Sequence, residues 1–246
     1  RCGKSYLLFE LFKQSLLENG VNEEHIIQVD LEDRRNKHLR EPDRLLDHID
    51  GHITDNDMYY ILLDEIQLVP EFEDVLNSYL KIKNTDVYVT GSNSRMLSSD
   101  VKTEFRGRGY EIRVHPLSFS EFMSVFKGDK YMGLSEYMLY GGIPLVVLRE
   151  SSSDKAAALQ NLFSEIYIRD IFKRNRIKNI GELEDLLNIL SSAIGSLTNP
   201  EKLKNTFKTV KKSKITSKTI KKYLDCFEDS FLIESAQRYD IKGKAY

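Results

Sequence analysis

Tyr59-Tyr60-Ile61-Leu62-Leu63-Asp64-Glu65 decides the fold. Five apolar or aromatic residues run directly into two adjacent carboxylates. An unbroken run of this kind, without polar alternation, is the pattern of a strand buried on both faces, as in a parallel sheet. Acidic residues at the carboxyl end of such a strand stand where open α/β sheets bind their ligands.

The neighbouring segments alternate between helix and strand. Residues 4–19 carry Leu7, Leu8, Leu11, Phe12 and Leu16 at helical spacing, and Asn19-Gly20 ends that helix. A strand follows at His25–Asp30, then a charged segment from Glu32 to Arg44, and a helix over Asp43–Ile53. Beyond Glu65 the pattern predicts a helix near Phe72–Lys81 and a strand over Asp86–Thr90 that closes on Gly91-Ser92-Asn93. A short strand is expected over Tyr110–Val114. Strands alternating with helices predict an α/β three-layer sandwich with a parallel sheet.

After Pro116 the pattern turns helical, over Phe119–Phe126, Ser135–Tyr140 and Ala156–Arg174, with a turn at Gly141-Gly142-Ile143-Pro144. Arg169 and Asp170 are candidates to pair across a domain junction, or to form a solvated charged face. Three more helices are expected over Glu182–Gly195, Pro200–Lys211 and Ser217–Asp229. A strand then begins at Phe231-Leu232-Ile233, and Gly243 marks a hairpin turn. The organisation is read as a core over residues 1–122, a helical lid or linker over 123–178 and a winged helix-turn-helix over 179–246.

The chemistry concentrates in three places. Arg1-Cys2-Gly3-Lys4-Ser5 is the tail of the phosphate-binding loop G-x-x-x-x-G-K-[ST]. In that pattern Gly3 lets the backbone approach phosphate, Lys4 reaches the β and γ oxygens, and Ser5 coordinates Mg²⁺, with helix-start amides adding anion affinity. A plain surface helix start is the alternative for so short a match. Such a loop follows a strand, which is expected to lie before Arg1.

Asp64 then holds the Mg²⁺ shell opposite Ser5, and Glu65 orients or deprotonates an attacking water. In Thr90-Gly91-Ser92-Asn93, Asn93 or Ser92 positions that water or senses the γ-phosphate, with Thr90 less well placed. An ordinary Gly-Ser-Asn turn is the plainer alternative. Arg106 and Arg108 are candidates for an arginine that neutralises transition-state charge, in cis or on a neighbouring subunit, against a basic surface loop.

The bulk composition sets limits. With 246 residues, 41% apolar and 30% charged, the chain fits a globular protein of one large or two small domains. No apolar run approaches a membrane span. Cys2 and Cys226 lie too far apart in sequence for a disulfide framework and lack zinc-ligand companions, which fits a reducing cytoplasm. The net charge of −2 hides a division: residues 1–170 carry 20 Lys/Arg against 29 Asp/Glu, and residues 171–246 carry 16 against 9. Two modules with different partners follow from that asymmetry.

Between Glu201 and Lys222 stand nine lysines and one acid. Leu203, Phe207 and Val210 form one apolar stripe, and Ile215, Ile220, Tyr223, Leu224 and Phe227 another. Two short helices followed by two strands make a winged helix, with Ser217–Phe227 as its recognition helix. Lys218, Lys221 and Lys222 are the residues best placed to neutralise DNA phosphates. Few Arg, Asn or Gln are available to read bases, so weak sequence preference is expected. A protein-binding role, or a merely soluble face, is the competing view.

The motif set resembles the AAA+ superfamily of P-loop ATPases, and within it an uncharacterised archaeal and bacterial group with a winged helix and a C-terminal domain of unknown function. The resemblance rests on Arg1–Ser5, Leu62-Leu63-Asp64-Glu65-Ile66-Gln67, Thr90–Asn93, Gly107-Arg108 and Pro116-Leu117-Ser118-Phe119-Ser120-Glu121-Phe122, with Gly141–Pro144 and Tyr167-Ile168-Arg169-Asp170-Ile171. It implies an ATP- and Mg²⁺-dependent module with Lys4, Ser5, Asp64 and Glu65 in its Walker motifs, and a further domain after Tyr246. Two functions compete: an ATP-hydrolysing switch coupled to a winged-helix DNA- or protein-binding module, and a non-catalytic DNA- or partner-binding protein that keeps nucleotide as a structural ligand. The partners implied are ATP or ADP, DNA, and a protein partner or a homo-oligomer. Transfer of phosphate to a small molecule is disfavoured, because adjacent Asp64 and Glu65 suit water activation.

Overall fold

The structure is a computed structural model that describes residues 2–91, 105, 108–164, 171, 177, 179–230 and 232–236. It divides into two compact units, Arg1–Ala156 and Ala157–Tyr246.

Three parallel strands, β1 (Ile26–Asp30), β2 (Tyr59–Asp64) and β3 (Thr85–Val89), form a sheet in the order β1-β2-β3. Asp30 pairs in register with Asp64, and Leu63 with Val89. Tyr59, Ile61, Leu62 and Leu63 are all at most 1% exposed, as the unbroken apolar run predicts. Each such side chain contributes about 2 kcal/mol of burial free energy.

The pleat sends alternate side chains to opposite faces. Ile27, Val29, Ile61, Leu63, Val87 and Val89 meet Leu45 and Ile49 of α2 (Pro42–Asp50) and Phe72, Val75, Leu76 and Tyr79 of α3 (Phe72–Tyr79). On the other face Ile26, Tyr60, Leu62 and Tyr88 pack against Leu8, Phe9, Phe12 and Leu16. Those four belong to α1, which spans residues 4–18 as Lys4–Tyr6, a wider π-helical stretch Leu7–Phe12, and Lys13–Glu18. The first unit is therefore the expected three-layer α/β/α arrangement.

Residues 109–115 carry no ladder, contrary to the strand expected over Tyr110–Val114. Their alternation is strand-like, but a strand exists only with a partner, and none pairs with them among the described residues. Tyr110 and Ile112 are consequently 91% and 72% exposed. Next come α4 (Phe119–Val125), α5 (Lys130–Tyr140) and α6 (Pro144–Val147). Ser118 and Glu121 close a reciprocal capping box on α4. Asp129 caps α5, its Oδ1 accepting from the N–H groups of Tyr131 and Met132 at 2.8 and 2.9 Å, so the helix begins five residues before the expected Ser135. The Gly141–Pro144 turn is fastened to the Pro116–Phe122 segment: Leu117 N–H donates to Gly142 O at 2.7 Å, and a Cβ on Gly142 would lie 2.0 Å from Leu117 O. The segment expected to be helical over Ala156–Arg174 begins earlier, at Ser152, runs as α-helix to Asn161 and continues as a π-helical stretch over residues 162–164; residues 165–170 and 172–176 lie outside the described residues.

In the second unit α7 (Ile180–Ser192), α8 (Pro200–Val210) and α9 (Ser217–Asp229) enclose a core of Leu183, Leu186, Phe207, Ile215, Ile220, Tyr223 and Phe227. Val210 is 69% exposed and does not extend the stripe assigned to it. Leu232–Ala236 take no strand conformation, and Phe231 and residues 237–246, with the expected hairpin at Gly243, lie outside the described residues. The pair Arg169 and Asp170 lies outside them too. The three expected helices are thus present, and a winged helix is not shown. No helix among the described residues is long and apolar enough to cross a membrane.

Candidate functional site

The carboxyl edge of the sheet gathers polar groups from three strand ends. Leu31 N–H donates to Asp64 O at 3.2 Å, Thr90 N–H to Leu63 O at 2.9 Å, and Ile66 N–H to Thr90 O at 3.1 Å. By the pleat, Asp30, Asp64 and Thr90 share the face of the sheet that α1 covers.

Asp64 is 4% exposed and accepts a short hydrogen bond at Oδ1 from the Thr90 hydroxyl. That hydroxyl also accepts from Glu65 N–H at 3.3 Å. Thr90, less well placed than Asn93 and Ser92 on sequence grounds, is joined to Asp64 in the structure. The β2–β3 register, with Leu63 opposite Val89, brings Thr90 level with Asp64, and the sequence alone does not state that register. Asn93, Ser92 and Arg106 lie outside the described residues.

Glu65 leaves the strand with φ 56° and ψ 44°, the left-handed region. A non-glycine residue there costs on the order of 1–2 kcal/mol. The kink turns the chain into the short 3₁₀ turn Ile66–Leu68, and Gln67 Nε2 donates to Glu65 Oε2. Gln67 is 8% exposed, and its Oε1 has no hydrogen-bond partner among the described residues. Sequence reasoning treated Gln67 only as part of a motif.

Gly3 has φ 94°, a conformation that favours glycine, and its carbonyl accepts from Leu7 N–H at 2.8 Å to open α1. The short link from Glu18 to Ile26 sets the end of α1 beside the start of β1, so its N-terminus points toward the carboxyl edge. Gln28 Nε2 donates to Phe9 O at 3.1 Å, and the Phe12 and Tyr88 rings meet at 4.5 Å. Ser5 precedes Phe9 by about 6 Å of helix, and Asp30 follows Gln28 by about 6.6 Å of strand. The start of α1 therefore lies about level with Asp30 and Asp64. Lys4 is half-buried and Ser5 exposed, and neither side chain makes a hydrogen bond or ion pair among the described residues. The Cys2 thiol donates to Val114 O at 2.9 Å, fastening residues 109–115 beside the loop.

Arg108 is exposed in a turn closed by its N–H to Phe105 O at 2.9 Å. Among the described residues, His25, Asp55 and Asp57, at the amino end of the sheet, are a group close enough to share a cation. There His25 Nε2 lies 3.1 Å from Asp55 Oδ2, and the Asp57 N–H followed by His25 holds the Asp55 carboxyl below its ordinary range.

In the second unit Lys218, Lys221 and Lys222 are exposed on α9. Lys218 also lines an open cavity of about 570 Å³ with Lys204, Lys208 and Lys214, three lysines that sequence reasoning left unassigned. Thr216 caps α9 there, accepting from Thr219 N–H at 3.2 Å, and Lys204 pairs with Glu201.

Comparison with known proteins gives two family matches: an AAA domain over residues 1–123, and a domain of unknown function (DUF8612) over residues 132–245. An uncharacterised protein of Haemophilus influenzae is 34% identical over the whole chain, which covers 62% of that relative. An uncharacterised protein of Methanocaldococcus jannaschii is 28% identical over 99% of the chain, covering 56% of its length. The chain thus spans less than two thirds of either relative. The match over residues 1–123, half of the chain, shows that it belongs to the AAA domain family, a nucleotide-binding, ATPase-like class.

Proposed function

We propose that the chain binds ATP with Mg²⁺ at the carboxyl edge of its sheet and hydrolyses it. The observation that carries this is the buried Asp64, fixed by the Thr90 hydroxyl beside the kinked Glu65, on the face and at the level where α1 begins with Gly3-Lys4-Ser5. Lys4 supplies positive charge to the β and γ phosphates, and the α1 amides add to it. The hydroxyl of Ser5 and the carboxylate of Asp64 are the hard oxygen donors that Mg²⁺ takes, so the residues present fit that ion. Mg²⁺, when bound, neutralises charge on the phosphate oxygens.

Glu65 takes a proton from the attacking water while the water oxygen bonds to the γ-phosphorus and ADP leaves with the electron pair of the broken bond. Asn93 is the further polar group proposed to hold that water. Arg108 is proposed to meet the γ-phosphate in cis or from a neighbouring copy, which makes a homo-oligomer or protein partner part of the scheme. Residues 1–122 are the proposed nucleotide core and 123–178 its lid or linker. Residues 179–246 are proposed as a winged-helix module.

The lysine face of α8 and α9 supports duplex DNA as the partner of that module, with Lys218, Lys221 and Lys222 contacting phosphate. The activity is proposed for the cytoplasm. Turnover of ATP by the full-length protein, beside Glu65→Gln and Lys4→Ala and with or without duplex DNA, is the test. Glu65→Gln is expected to lower turnover at least ~100-fold with ATP still bound, and Lys4→Ala to weaken ATP binding. Full activity in both variants would sink the proposal. Tight ATP binding without turnover in the wild type would favour nucleotide held as a structural ligand.

A further inference from the structure

We infer that Gln67 is a positioning residue for Glu65, an assignment that rests on Glu65 being the group that activates water. Glu65 sits in the left-handed region at the exit of β2, so its side chain does not continue the strand's alternation. The 3₁₀ turn that follows returns Gln67 to it, and the Gln67 amide donates to Glu65 Oε2. Gln67 is 8% exposed and Glu65 half-buried, so the bond is partly shielded from water, where a donor to a carboxylate holds more firmly than it does in open solvent.

The other end of the same amide identifies what Gln67 is there for. Its Oε1 is buried with no hydrogen-bond partner among the described residues. A buried carbonyl oxygen without a partner is costly, and an apolar side chain of equal size would fill the space without that cost. Simple packing therefore argues for methionine at this position. Glutamine is explained if its N–H₂ group is the useful part and the orphaned oxygen comes with it. The useful part occupies Oε2 and fixes the rotamer of Glu65. A misplacement of a catalytic group by about 1 Å lowers a rate by up to ~100-fold, so a single donor at this point has leverage on turnover.

Gln67→Met separates positioning from packing, because it keeps the volume, removes the donor and removes the orphaned oxygen. In the full-length protein kcat, KM for ATP and the thermal midpoint are measured for wild type, Gln67→Met, Glu65→Gln and the double variant, using single-turnover conditions for the slow forms. Gln67→Met is expected to lower kcat at least ~10-fold, leave KM within about twofold, and leave the midpoint unchanged or raised. In the Glu65→Gln background it should have no further effect, since its target is gone. Wild-type kcat in Gln67→Met overturns the assignment. So does a fall in kcat accompanied by a lower midpoint, or an equal fold-loss in the Glu65→Gln background. A wild type that binds ATP without turning it over removes the water-activation role of Glu65 and the Gln67 assignment with it. Turnover that survives Gln67→Met removes the assignment alone.

Discussion

Thr90→Val is the substitution that most directly probes how the carboxyl edge is held together. The two side chains have nearly the same shape, so the change removes one hydroxyl and little packing. That hydroxyl donates to the 4%-exposed Asp64 and accepts from Glu65 N–H at 3.3 Å. A hydrogen bond to a buried charged group is worth about 1.5–3 kcal/mol, and the longer one to Glu65 N–H about 0.5 kcal/mol. The valine methyl returns up to about 0.8 kcal/mol through burial. The expected net loss is about 2 kcal/mol, roughly a 30-fold change in the folding equilibrium. Urea unfolding followed by circular dichroism measures it. Thr90→Ser, which keeps the hydroxyl and loses only the methyl, should cost about 1 kcal/mol or less. A Thr90→Val protein within about 0.5 kcal/mol of wild type, or one more stable than Thr90→Ser, would refute the claim that this hydroxyl satisfies Asp64.

Tyr79→Phe removes a hydroxyl that donates to Asp50 Oδ1 at 2.8 Å from a ring that burial, helped by Asp50, keeps protonated far above the ordinary tyrosine range. Asp50 is exposed and regains water, so calorimetry should read a loss of about 1 kcal/mol with ATP turnover unchanged. The Glu121 carboxyl lies below its ordinary range because the Ser118 N–H and hydroxyl donate to it. Its stabilisation is therefore present above the ordinary value of 4.5 and is lost as pH falls through the lower folded-state value. Glu121→Gln should accordingly lower the thermal midpoint near neutral pH, with the deficit closing in acid; a deficit independent of pH would contradict this. Replacing Lys204, Lys208, Lys214 and Lys218 together by Ala should weaken duplex DNA binding, read by fluorescence anisotropy, and flatten the plot of log affinity against log salt by ~0.9 for each phosphate no longer neutralised. An unchanged slope would remove that face as the DNA surface.

Elements whose cause is local were legible in the sequence. Tyr59–Leu63 announces a strand covered on both faces because its composition leaves no polar face to solvate. α9 occupies Ser217–Asp229 as read, because Thr216 supplies the cap and Ile220, Tyr223 and Phe227 recur at helical spacing. The start of α5 lies ahead of the expected Ser135 because Asp129 caps a weakly periodic segment, in which the spacing of apolar residues does not mark the first turns. What depends on non-local pairing was not legible. The alternation in Tyr110–Val114 cannot state whether a ladder partner exists. The choice of Thr90 for Asp64 depends on the register between β2 and β3, which no single segment carries. Gln67 was hidden for a related reason, since only the left-handed backbone of Glu65 returns its amide to that carboxylate.

The parallel sheet also governs how the first unit folds. Ile26 pairs with Tyr60 and Tyr59 with Thr85, so every ladder closes over roughly thirty residues of intervening chain. Closure entropy of this kind precedes any reward from the pairing and makes such sheets slow to assemble. Asp30, Asp64 and Thr90 each come from a different strand, so the edge they form exists only after both ladders have closed. Partly folded chains lack the site altogether, and a nucleotide that binds it favours the fully assembled sheet by mass action. Under the proposed function, ligand occupancy and completion of folding would be one measurement, with the nucleotide as a checkpoint on the sheet that holds it.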